Sequence, residues 1–313
     1  MATLTDAGMR PSFDQKWDLK VLQSRYGKAT IGKCVLNRSA LVEESGEIIN
    51  ISIKPRVAGG TVAADGTFTS ETLTFTNVQV NVNTWRYVSH IITDKQSKQS
   101  ILTLETELPS QFGERLAEFA EIDLADLFLD FTGYNGTAGQ GVGAPGTGVA
   151  FGRDEALNMV QAMRRRQIPP DSIHWILPVE AFYQGWLRNE VQTNANTTGN
   201  AKSTIITGIY GFKQMILGFP AYESTLLNGA STINIDTGAI IHGASGVNVT
   251  GTTAGALIHE ESLAYAFQIN AKYEKVRTTP SEQFGTLVAA NSLYGVRGVR
   301  ANHGVPIYIT NGS

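Results

Sequence analysis

The feature that most restricts this chain is a stretch of alternating hydrophobicity over residues 47–93. Ile49, Ile51 and Ile53 alternate with Asn50, Ser52 and Lys54 until Pro55 ends the run, the period of two that marks a half-buried strand. Gly59-Gly60 and Asp65-Gly66 supply turns. Leu73 and Phe75 resume the alternation. After a change of phase near Asn77, it runs on through Val78, Val80 and Val82 to Trp85, Tyr87, Val88 and Ile91-Ile92. The phase change predicts a β-bulge. Read as one strand, 78–93 spans roughly 53 Å at ~3.3 Å per residue. A 313-residue globule is only about 50 Å across. A two-stranded ribbon is marginal alone, so this one is expected to protrude and to lie on another surface, that of another subunit.

The flanking segments read differently. Residues 1–45 keep no period beyond about two turns of helix and are expected to form an extended arm. Leu108, Phe112, Leu116, Phe119, Ile122 (or Asp123), Leu127 and Phe131 recur every three to four residues, with one break. That spacing predicts a helix over 109–131, about 34 Å long at 1.5 Å per residue, with Pro109 in its first turn. A glycine-dense connector fills 133–152. A second amphipathic helix follows over 153–167, with Ala156, Leu157, Val160 and Met163 inward and Arg164, Arg165 and Arg166 at its C-terminal end, before Pro169-Pro170. Strand 173–177, a short helix over 179–187 and a polar loop at 192–204 come next. Short apolar runs separated by turns, read as strands, fill 205 to the end, among them 256–258, 264–269, 287–290 and 305–309. The class is α+β.

Composition narrows function mostly by exclusion. A net charge of −3 excludes a chain that coats DNA through bulk positive charge. The single cysteine, Cys34, excludes an internal disulfide framework and a cysteine-cluster metal site. The N-terminal stretch has neither the basic flank nor the apolar core of a secretory signal, and no apolar run reaches the ~20 residues of a membrane span. Charged residues make up 17% against a usual ~25%, so the surface is polar but weakly charged and dries against a neighbour at low cost.

No catalytic constellation emerges. Gly141, Gly143 and Gly146 spell a GxGxxG, but a helix precedes it, Pro145 interrupts it and arginines stand where a dinucleotide site needs an acid; it reads as a surface loop. The five histidines are scattered. His259 beside Glu260 and Glu261 is the best metal or acid–base candidate, with a simple turn as the plainer reading. Cys34 reads as a small packed side chain. The triple arginine could meet phosphate without sequence preference, yet a helix end paired with carboxylates explains it better. No cofactor or metal is called for, and the chain is not expected to be an enzyme.

The order of arm, ribbon, long helix, glycine loop, mixed lobe and returning strands resembles the major capsid proteins of tailed double-stranded-DNA bacteriophages, over nearly the whole chain. VNVNTWRYVSHIITDKQSKQS followed by LPSQFGERLAEFAEIDLADLFLD resembles that family's extended-loop return strand and spine helix. IHWILPVEAFYQGWL and GIYGFKQMILGFPAYEST are similar to two passages of its axial domain. The run from Ala256 to Ile309 resembles its closing strands. The resemblance implies an N-terminal arm (1–46), an extended β-hairpin loop (47–93), a peripheral domain (94–149 and 263–313, with the spine helix at about 109–131) and an axial domain (150–262). It further implies hexamers and pentamers closing an icosahedral shell around packaged DNA that is contacted non-specifically. The shell would be the virion head, assembled in the host cytoplasm with no membrane involved. A separate scaffolding protein, a portal protein and a decoration protein are the implied partners, the first because no fused scaffolding segment precedes the arm. Ile51, Ile53, Phe75, Val80, Trp85, Tyr87, Arg164, Arg165 and Arg166 are the candidate inter-subunit contacts. An encapsulin-type nanocompartment and a tail-tube protein are the rival readings.

Overall fold

The computed structural model describes residues 30–42, 46–53, 57, 59–62, 64–67, 72, 74–95, 104–132, 142–143, 149–178, 181, 214–224, 227, 232–233, 240–241, 252–277 and 284–310. The arm before residue 30, most of the helix expected at 179–187 and the loop at 192–204 lie outside them. Among the described residues, no helix is long and apolar enough to cross a membrane.

Among the described residues, two larger sheets and two α-helices organise the fold, in keeping with the α+β class. The first sheet has the order β1-β11-β12-β4: β1 (Leu36–Asn37), β11 (Leu263–Arg277), β12 (Gly285–Gly298) and β4 (Thr84–Thr93). The second has the order β13-β10-β5-β7-β6: β13 (Gly304–Thr310), β10 (Thr252–His259), β5 (Ile173–Pro178), β7 (Phe219–Ser224) and β6 (Gln214–Ile216). A separate hairpin pairs β2 (Ile48–Ile53) with β3 (Thr76–Asn81), and β8 (Thr232–Ile233) pairs with β9 (Ile240–Ile241).

The alternating run at 47–93 is therefore two structures. Only its first part is a hairpin, in uninterrupted register from Ile48↔Asn81 to Ile53↔Thr76, so no bulge sits at Asn77. The chain breaks at Val82-Asn83, and β4 pairs instead with β12 over ten residue pairs, Gly285↔Thr93 to Tyr294↔Thr84. Bulges occur in β11, between Phe267 and Ile269 and between Ile269 and Lys272. A change of partner that preserves the two-residue period leaves no trace in hydrophobicity, which is why 78–93 reads as one strand.

Helix α1 (Leu104–Asp126) begins earlier than its periodicity predicts and ends in a 3-10 turn, Leu127–Asp130. Pro109 thus lies inside the helix and not at its first position. The buried row starts as expected with Leu108, Phe112 and Leu116, packed against Ile92, Val288 and Ala290 of the first sheet. It then rotates to Leu124, Ala125, Phe128 and Phe131, which meet Ile176, Ile258 and Tyr308 of the second sheet. One helix thereby serves both layers. Helix α2 (Arg153–Arg165) buries Ala156, Met159, Ala162 and Met163, a stripe turned somewhat from the expected one, with Val160 only partly buried and Leu157 45% exposed. Its partner is the second sheet's core, where Trp175 donates its indole N–H to Ile216 O at 3.1 Å and meets Phe151 edge-on.

Two described residues of the glycine connector are tied to the second sheet. Val142 and Val149 form parallel bridges to Ile307 and Ile309 of β13. Where β13 starts, a Cβ on Gly304 would sit 2.6 Å from the ring of buried Phe131. Gly304→Ala is expected to cost roughly 1–3 kcal/mol through overpacking, read as a lower urea midpoint at unchanged slope.

Candidate assembly surface

Strand β4 shows how alternation positions an external site. Arg86, Val88 and Ile92 point toward α1: Val88 and Ile92 enter its core cluster, and Arg86 reaches Asp123 at 3.5 Å and lies over the Phe119 ring. Tyr294 of β12 donates its hydroxyl to the other Asp123 oxygen at 2.6 Å. Burial and that carboxylate push the Tyr294 hydroxyl far above its ordinary pKa, so it stays a proton donor. This trio clamps β4 and β12 to α1. At the strand's far end Asp94 accepts both guanidinium N–H groups of Arg277, at 2.8 and 2.6 Å, which holds its carboxyl below the usual range.

With those side chains committed inward, Trp85 and Tyr87 point to the opposite face and are 69% and 71% exposed. The β2–β3 hairpin sits on that same face, farther along. Ile49, Val80 and Val82 bury themselves against Ala264, Ala266 and Val299, while Leu293, the register partner of Trp85, packs at the border. The aromatic pair thus continues an apolar face beyond the footprint of the chain's own hairpin. Beyond β2 and before β3, every described residue from Val57 to Phe75 is exposed.

The nine contact candidates therefore separate. Trp85, Tyr87 and Phe75 are exposed, although the first two stand on the sheet and not on the hairpin. Ile51 and Ile53 are partly covered by the hairpin's own cluster, and Val80 is fully buried within the chain, which leaves it no surface for a neighbour. Arg164 and Arg165 are exposed, the former 5.8 Å from the Phe219 ring. Arg166 turns inward and donates to the carbonyls of Thr132, Asn302 and Gly304 at 2.8–3.1 Å; it holds the end of α2 to the segments flanking α1 and β13. Three backbone carbonyls thus receive part of that charge.

Two polar arrangements could not be anticipated from periodicity. Glu121, in the middle of α1 and 3% exposed, accepts N–H groups from Ile31 at 2.6 Å and Gly32 at 2.8 Å. Burial pushes its carboxyl up, against the downward pull of those N–H groups. It moors the root of the arm to the long helix, and Cys34 is buried in the same turn, in keeping with a packed side chain. The other is His259, Glu261 and His303, whose ligand-type atoms lie within 4.8 Å of one another. A cation already stands there: Arg300 Nε is 3.5 Å from Glu261 and Nη1 is 3.5 Å from His303 Nε2. His259 Nδ1 meanwhile accepts the Glu261 N–H at 3.2 Å. The group works as a capped turn with a guanidinium at its centre, the plainer of the two readings of His259.

No protein-family model matches the chain, and no curated protein is recognisably similar in sequence. Solved structures are similar in shape. One from Mycobacterium phage Che8 superposes with a TM-score of 0.64 at 16% identity, covering 89% of this chain and 90% of that one. The capsid of the cyanophage P-SCSP1u gives 0.63 at 15% identity, over 91% and 88%. A virus-like particle from Pyrococcus furiosus gives 0.52 at 8% identity, over 94% and 99%. At such identities the likeness is one of architecture, and the chain carries the tailed-phage major capsid fold over about nine-tenths of its length.

Proposed function

We propose that this chain is a major capsid protein that self-assembles as hexamers and pentamers into an icosahedral shell around packaged double-stranded DNA. The observation that carries the reading is an exposed aromatic pair, Trp85 and Tyr87, on an apolar sheet face that the chain's own hairpin covers only in part, in a fold shared with a phage capsid over about nine-tenths of the chain. In this reading the exposed hairpin tip lies over an adjacent subunit. Residues 150–262 form the axial domain around each capsomer's centre, and 94–149 with 263–313 the peripheral domain joining capsomers. Each contact is individually weak and closure multiplies them. Even ~800 Å² of apolar surface buried per subunit corresponds to roughly 20 kcal/mol before entropy costs. The net charge of −3 suits a container that touches DNA without gripping it. A separate scaffolding protein, a portal and a decoration protein complete the partners, in a virion head built in the host cytoplasm.

Electron microscopy of the overexpressed chain, alone and with its genomic neighbours, tests the proposal: closed shells are expected, and rods would point to a tail tube. An encapsulin-type shell is the second reading, carried by the likeness to the Pyrococcus particle, which superposes less well than the phage structures. Shells from the native host containing protein cargo and no nucleic acid, by absorbance ratio, would select it. Deleting residues 56–72 is expected to leave a soluble subunit that closes no shell, and normal particles from that deletion would remove the hairpin from the mechanism.

A further inference from the structure

Two tight crossings carry the chain between its sheets, and they meet. The turn Glu260–Ser262 leads from β10 to β11, and the turn Ala301–His303 leads from β12 to β13. His259 and His303 stand at this junction with ring centroids 5.4 Å apart and planes at 88°, and each is only 8% exposed. The groups facing them come from every neighbouring element. Arg300 precedes the second turn and points its Nη1 at His303 Nε2 from 3.5 Å. Arg166, from the end of α2, binds the carbonyls of Asn302 and Gly304 on either side of His303. Glu261, on the first turn, holds Arg300, Glu260 adjoins His259, and Asp171, just before β5, is hydrogen-bonded to the His259 ring through its backbone. With Arg300 donating to Nε2, the His303 proton lies on Nδ1, a buried atom with no partner among the described residues.

We propose that this histidine pair is a proton-sensitive joint between the two sheets: neutral rings let the crossings close on each other, and a proton on His303 sets a third cation between Arg300 and Arg166 and loosens them. Burial first, then the two arginines and His259, lower His303 to about 4; His259 is also lowered, chiefly by burial. The folded chain thus holds the His303 proton roughly 300-fold more weakly than an unfolded one with a pKa near 6.5. The folded form binds fewer protons in this window, so stability is full above pH ~6.5 and falls as the pH drops toward 4. The joint belongs to the subunit and stands whether or not shells close.

The test uses the full-length unassembled chain between pH 7.5 and 4. Hydrogen exchange at 259–263 and 299–304, corrected for intrinsic rates, is expected to rise as the pH falls, and to stay flat in His303→Gln. NMR titration of the ring protons is expected to place His303 near 4, and Arg300→Gln to move that midpoint upward. A His303 midpoint at 6.5, an equal acid-induced rise in His303→Gln, or a midpoint indifferent to Arg300→Gln overturns the proposal. The Arg300→Gln titration decides even if the first variant fails to fold.

Discussion

Replacing Trp85 and Tyr87 together by serine is expected to give a folded subunit that forms no particles. Both rings are largely solvated in the subunit, so their loss should cost it less than about 1 kcal/mol, mostly through strand preference. In an assembly the same rings are the largest exposed apolar groups on the β4 face, and burying 150–250 Å² each is worth roughly 4–6 kcal/mol gross per ring. Aromatic anchors of this kind dominate interface energetics. In the proposed shell the contact would repeat at every subunit, so a loss that a dimer would survive as weaker binding would prevent closure. Sedimentation and electron microscopy read assembly, while a thermal melt reads the subunit. An unchanged melt with no particles is the expected pair of results, and normal particles would remove these rings from the interface.

The other large effect is expected at Gly295, where the hairpin meets the sheet. A Cβ there would lie 2.7 Å from the carbonyl carbon of Asn81 and 3.0 Å from Val82 Cα. These are backbone atoms and cannot rotate away, so Gly295→Val should lift the base of the β2–β3 hairpin from β12. Ile49, Val80 and Val82, buried there at 4% exposure or less, would then lose their cover, at a cost of roughly 3 kcal/mol or more. Hydrogen exchange should accelerate at 48–53 and 76–81 while the second sheet keeps its protection. Gly298→Ala is the control, because a Cβ there meets nothing within 4 Å and stability should be unchanged. Equal protection in Gly295→Val and the control would mean that the hairpin is held elsewhere.

These positions show where sequence reasoning reached its limit. Periodicity found the hairpin strands, the long helix through Leu108, Phe112 and Leu116, and the closing strands at 256–258, 264–269, 287–290 and 305–309, each inside a longer observed strand. It assigned Trp85 and Tyr87 to the protruding ribbon, when they project from a sheet that β4 shares with β12. It placed Arg166 among the candidate contacts without showing that this guanidinium also donates to three carbonyls of its own chain. Glu121 carried no signal at all: an acid amid the apolar face of a helix declares its purpose only when the arm's N–H groups are seen to close on it.

The residues alone determined where local period and turn chemistry act, because strand alternation, helical spacing and proline or glycine stops depend on neighbours a few positions away. Tertiary structure decided which strand joins which sheet, where α1 turns its buried row from one layer to the other, and which charges are consumed internally. Those outcomes depend on groups far apart in sequence, such as Arg86 with Asp123 and Tyr294, or Gly304 under Phe131. Their energies exist only once packing has brought the partners into contact.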